Sequence, residues 1–95
     1  MKLIKIVRSE RPEKKYDAVF DLGEGKTKRV SFGAAGMSDY IHHKDPERRL
    51  RYIRRHRGNE DWENPLTPGA LSRWILWEDT SLERAIAGFR RRFRL

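Results

Sequence analysis

Residues 15–33 read KYDAVFDLGEGKTKRVSFG, and this stretch decides the fold. Tyr16, Ala18, Phe20 and Leu22 alternate with Asp17, Val19 and Asp21. A period of two places the first set on one face of a strand and the second on the other. The turn Gly23-Glu24-Gly25-Lys26 follows, and alternation resumes with Val30 and Phe32 against Arg29 and Ser31. Two alternating runs around a glycine-rich turn predict a β-hairpin. Residues 3–7 (LIKIV) add a third strand through the polar segment 9–15, which completes an antiparallel meander. Gly33-Ala34-Ala35-Gly36 then stops the strand, and its small residues predict a tight turn or a close backbone approach.

Downstream the pattern becomes helical. Asp45-Pro46 supplies a cap followed by proline at the first helical position, and Gly58 supplies a stop. Within that helix Leu50, Ile53 and one side of Tyr52 are expected to face inward. Thr67-Pro68 repeats the start signal and opens PGALSRWILW (residues 68–77), the most apolar segment of the chain. Thr80 and Glu83 read as a capping box for a third helix carrying Leu82, Ile86, Phe89 and Phe93 at helical spacing. The expected fold class is therefore α+β, a three-stranded antiparallel sheet followed by three helices, in a single small basic domain spanning residues 1–95. The last two helices should cover one sheet face, with the first helix at the edge or across the outside.

That first helix carries the main functional signal. Residues 46–57 read PERRLRYIRRHR, and six of these twelve are arginine. Arg48, Arg51 and Arg55 recur at spacings of three and four and share one face, with Arg54 and Arg57 on a flank. The C-terminus adds Arg90, Arg91, Arg92 and Arg94. Over the whole chain 22 Lys+Arg stand against 14 Asp+Glu, a formal charge of +8, which attracts polyanions. Glu60, Asp61, Glu63 and Glu78 are the candidate internal counter-ions, since arginine pairs readily with carboxylates. Trp62, in a polar loop, and Trp77 are candidate partner anchors or stacking platforms, whereas Trp74 belongs to the core.

Other chemistries find less material. The chain has no cysteine, which excludes disulfides and thiolate metal sites. His42, His43 and His56 lack the further ligands of a metal site, and bonding of His42 or His43 to Asp45 or Tyr40 is the simpler expectation. No metal, cofactor or small-molecule substrate is expected. Asp21, Glu24 and Lys26 resemble in outline the carboxylate and lysine set of metal-dependent nucleases, but a surface turn accounts for them. No nucleophile is paired with a base, so an enzyme is not expected. No apolar run approaches the ~20 residues needed to span a bilayer, and charges interrupt the short N-terminal apolar stretch, so neither a membrane protein nor a secreted one is expected.

A block beginning Val30-Ser31-Phe32-Gly33 and continuing through Gly36, Asp39-Tyr40, His43, Asp45, Arg48, Tyr52-Ile53, Arg55-His56, Asp61-Trp62, Asn64-Pro65 and Thr67 to the GALSRWILW run of residues 69–77 resembles a known family. Its members are small, uncharacterised basic proteins of large DNA viruses of algae and amoebae. The resemblance implies a viral context, within the infected host or the virion. Small basic viral proteins commonly condense genomes or cement capsids. The expected function is non-enzymatic binding to phosphate backbones, DNA ahead of RNA. The alternative is a minor capsid or scaffold protein docking on acidic viral structural proteins, and a small nuclease is the distant one.

Overall fold

The computed structural model describes residues 1–95. Strands β1 (Lys2–Arg8), β2 (Lys14–Gly23) and β3 (Lys26–Ala34) form an antiparallel sheet in the order β1-β2-β3. Helices α1 (Tyr40–His43), α2 (Pro46–His56), α3 (Pro68–Leu71) and α4 (Leu82–Phe93) follow. The α+β class and the three-stranded sheet agree with the sequence reading. The helix count is four rather than three, because Asp39 starts the short α1: its carboxylate accepts from the His42 backbone N–H.

Alternation holds in the sheet. Leu3 pairs with Phe20, Ala18 with Val30 and Tyr16 with Phe32, so their side chains share the face that the helices cover. That face joins Leu71, Ile75, Leu76 and Phe89 in one core. Leu22 departs from its expected place. It is exposed, because the hairpin tip runs beyond the helical layer. Asp17 departs in the other direction. It lies on the uncovered face yet is buried beneath its neighbours on β3, with Ser31 Oγ donating at 2.6 Å and Arg29 at 2.9 Å. The Ser31 hydrogen bond above all holds its pKa below the usual carboxylate value.

The expected helix 68–77 begins as predicted, with Thr67 Oγ1 accepting from Ala70 N at 3.1 Å. It then widens into a π-helical turn, Ser72–Leu76, closed by the hydrogen bond from Trp77 N to Ser72 O. The wider turn places Ile75 and Leu76 in the core and Arg73, only 8% exposed, alongside. At α4 the cap is Ser81, one residue later than expected: Ser81 Oγ accepts from Arg84 N at 3.2 Å. Thr80 instead presents its carbonyl to Lys44 and its hydroxyl to the Arg84 guanidinium.

Candidate polyanion interface

Helix α2 is capped as expected, Asp45 accepting from Glu47 N at 3.0 Å with Pro46 at the first position. Its inward face differs from the expected one. Tyr52 is buried and Ile53 half-buried, but Leu50 is 47% exposed. Arg49 and His56 take the remaining inward positions, since residues 49, 52 and 56 recur at helical spacing. Tyr52 stacks on Trp77, and His56 lies beside Tyr52 with ring centroids 4.4 Å apart. Arg49 donates to the Trp77 carbonyl at 2.8 Å and to Glu78 Oε1 at 2.7 Å.

Glu78 is therefore the main internal counter-ion among the candidate acids. It also accepts from Arg73 at 2.8 Å. Burial alone would raise its pKa, but the hydrogen bonds from Arg73 and Arg49 outweigh burial and lower it. Glu60 accepts from the Trp62 indole at 3.0 Å and faces His56 at 3.4 Å. Asp61 and Glu63 pair with no arginine.

The other five arginines of residues 46–57 have no such partner. Arg48, Arg51, Arg54, Arg55 and Arg57 are exposed, and none makes an ion pair or a side-chain hydrogen bond within the chain. Burial above all, with the Arg48 charge next, holds the His43 pKa below its ordinary value; Asp45 and Asp39 oppose this, and Arg51 adds a smaller push in the same direction as Arg48. His43 Nδ1 accepts from the Asp45 backbone N–H at 2.9 Å, and its ring packs on Trp77. His42 bonds Asp39 at 2.8 Å rather than Asp45 or Tyr40.

The C-terminal arginines divide. Arg91 and Arg94 are exposed and unpaired. Arg90 is turned inward and donates to the Leu3 carbonyl at 3.2 Å, so it ties α4 to β1. Arg92 lies over the Trp74 ring at 3.5 Å. Arg73 sits between Trp74, at 4.2 Å, and Trp62, at 5.3 Å. The two tryptophans expected as anchors are thus engaged within the molecule, Trp62 with Arg73 and Glu60, Trp77 with Tyr52 and His43. Asp21 caps its own turn by accepting from Gly23 N at 2.8 Å, with Glu24 exposed at φ 55° and Lys26 exposed beyond it. No three His, Asp or Glu side chains are grouped so that they could hold a metal ion, and no helix is long and apolar enough to cross a membrane.

Most of the sheet, the loop after β3 and helix α2 fall within the stretch that a known family matches. This chain belongs to a family of unknown function (DUF5754). The DUF5754 model matches residues 4–56, from within β1 to the last residue of α2. The match takes in the N-terminal strands, which lie outside the block that carried the resemblance, and it stops before Trp62 and the run at 69–77. Neither the curated proteins nor the solved structures offer a match.

Proposed function

We propose that the protein is a non-enzymatic binder of nucleic-acid phosphate backbones, duplex DNA ahead of RNA. Five unpaired guanidiniums on one eleven-residue helix and its cap carry this reading. The helix does not need them for its own attachment, because Tyr52, His56 and Arg49 supply that. They are exposed, and their planar guanidinium forks suit phosphate oxygens. Arg91 and Arg94 add further exposed positive charge, and so does Arg92 from its place over Trp74. Binding of this kind positions the protein without reading sequence. The resemblance to proteins of large DNA viruses of algae and amoebae supports a viral setting, in the infected cell or the virion.

A salt titration on duplex DNA tests the proposal. Five phosphate contacts give a slope of log K against log salt of about −4.5. A flat profile would remove the reading.

Leu50 supports a second reading. A phosphate backbone has no use for an exposed leucine, whereas a protein surface does. On this reading the arginines dock on an acidic capsid or scaffold protein. Copurification with capsid protein after nuclease treatment of particles would favour it, and release of the protein by nuclease alone would favour DNA.

A further inference from the structure

Two hollows open between α2 and the loop that follows β3. One, of about 320 Å³, has Arg48, Arg51 and Arg55 around it. The other, of about 240 Å³, is walled by Ala34, Tyr52 and Leu76. Met37, Ser38, Arg55 and Trp77 line both, so the two adjoin as halves of one cleft, basic at one end and, at the other, apolar walls with Lys15, Asp39 and His56 among them. Its size falls in the lower part of the ~300–1,000 Å³ range of small-ligand sites.

We propose that this cleft holds the terminal nucleotide of a nucleic-acid strand, its phosphate monoester among Arg48, Arg51 and Arg55 and its sugar and base toward Ala34, Tyr52 and Leu76. The assignment rests on the nucleic-acid reading above and narrows it to strand ends. Three guanidiniums without a counter-ion suit a terminal phosphate, which carries close to two negative charges and three free oxygens, better than an internal diester with one charge. The apolar end accounts for what a bare backbone contact leaves unexplained, a hollow beside the charges with aromatic side chains in its wall. Trp77 belongs to that wall with Tyr52 against one of its faces and His43 packed on it at a tilt. Ser38 is exposed and stands where the two ends meet.

The test compares otherwise identical single strands carrying a terminal phosphate, at the 5′ or the 3′ end, or only hydroxyls. Fluorescence anisotropy should show roughly tenfold tighter binding of one phosphorylated form. Ser38→Trp, which fills the junction without changing charge, should bring that ratio close to one, and so should Arg51→Ala. Closed circular duplex DNA has no ends and reports backbone binding separately. Equal affinity for all strands, with salt-dependent binding to the circle intact, would overturn the strand-end site alone. Loss of circle binding with the phosphate preference kept would support the site and overturn the backbone reading. A phosphotyrosine peptide that binds more tightly than either phosphorylated strand would overturn the nucleotide assignment in favour of a phosphoprotein.

Discussion

The rings of Tyr52 and Trp77 lie 4.2 Å apart, with their planes 2° from parallel. This stack is the main joint between the arginine helix and the core, since Trp77 directly follows the buried Ile75 and Leu76. Loss of one ring removes a large buried area and the stacking contribution together. Tyr52→Ala should therefore cost about 3 kcal/mol, read as a lower urea midpoint with an unchanged slope. Tyr52→Leu keeps an apolar side chain but a shorter one without the ring, and should cost less than Tyr52→Ala, about 2 kcal/mol from the lost stack and the space left behind. Equal stability of Tyr52→Ala and the parent would show that the helix is held elsewhere.

Asp39 is 1% exposed and ties three features together. It accepts from Lys15 Nζ at 2.6 Å, from the His42 ring at 2.8 Å, and from the His42 backbone N–H at the start of α1. Burial works to raise its pKa, but the hydrogen bonds from Lys15 and His42 and the Lys15 charge outweigh burial and lower it. A carboxylate with a depressed folded pKa contributes fully above its unfolded value of ~3.9, and the contribution fades as pH falls through the folded value. Stability should thus decline below about pH 4, and Asp39→Asn should flatten that decline. The same variant should be less stable than the parent at pH 7 by about 3 kcal/mol, because Lys15 is left in a mostly buried place without its partner. Thermal unfolding of both proteins from pH 2 to pH 7 measures the two effects together.

Much of the fold was legible because its signals are local. The alternation at 16–20, the glycine turn, and the Asp45-Pro46 and Thr67-Pro68 starts each act over a few residues, and each stands where it was expected. The misses come from partners far along the chain or from a change of helical period. Arg49 reads as a solvent-facing arginine, and only folding brings Glu78 to it across 29 positions. Asp17 reads as an outer-face residue, and its burial depends on Ser31 of the neighbouring strand. The π-helical turn at 72–76 breaks the 3.6-residue spacing that finds helices, so that periodicity does not reveal it. In the candidate interface, the spacing of Arg48, Arg51 and Arg55 was readable. The cleft beside them was not, because Ala34, Met37 and Trp77 come from segments that sequence spacing does not relate.

Arg49 and Arg51 stand two residues apart and should behave as opposites. Arg49 is bonded to the Trp77 carbonyl and to Glu78, so Arg49→Ala removes charge-assisted hydrogen bonds and leaves Glu78 with Arg73 alone. It should cost about 1–2 kcal/mol in stability and leave the salt slope of DNA binding close to the parent's. Arg51→Ala removes an unpaired, exposed side chain. It should change stability by less than about 0.5 kcal/mol and reduce the salt slope by about one. Parallel urea melts and salt titrations on the two variants separate the roles. A pair of variants that lose binding equally with equal stability would show that the division between bonded and free arginines has no functional meaning.

Gly33 and Gly36 offer a matched pair for the loop that borders the cleft. Both have left-handed backbones, φ +78° and +84°. An added Cβ at Gly36 meets nothing within 4 Å, so Gly36→Ala carries only the conformational cost of ~1–2 kcal/mol. At Gly33 the same atom would stand 2.8 Å from Leu76 Cδ1 and 3.2 Å from Lys15 Cβ. Leu76 belongs to the packed core and cannot swing away without disturbing it. Gly33→Ala should therefore exceed Gly36→Ala by the ~1–3 kcal/mol typical of overpacking, in a direct comparison of denaturation midpoints. Because relief at Gly33 requires Leu76 or the loop to shift, and Leu76 walls the apolar hollow, Gly33→Ala should also change any binding that depends on the cleft, whereas Gly36→Ala should not. Equal destabilisation by the two substitutions would mean that β3 and the π-helical turn approach each other less closely than the Leu76 contact requires.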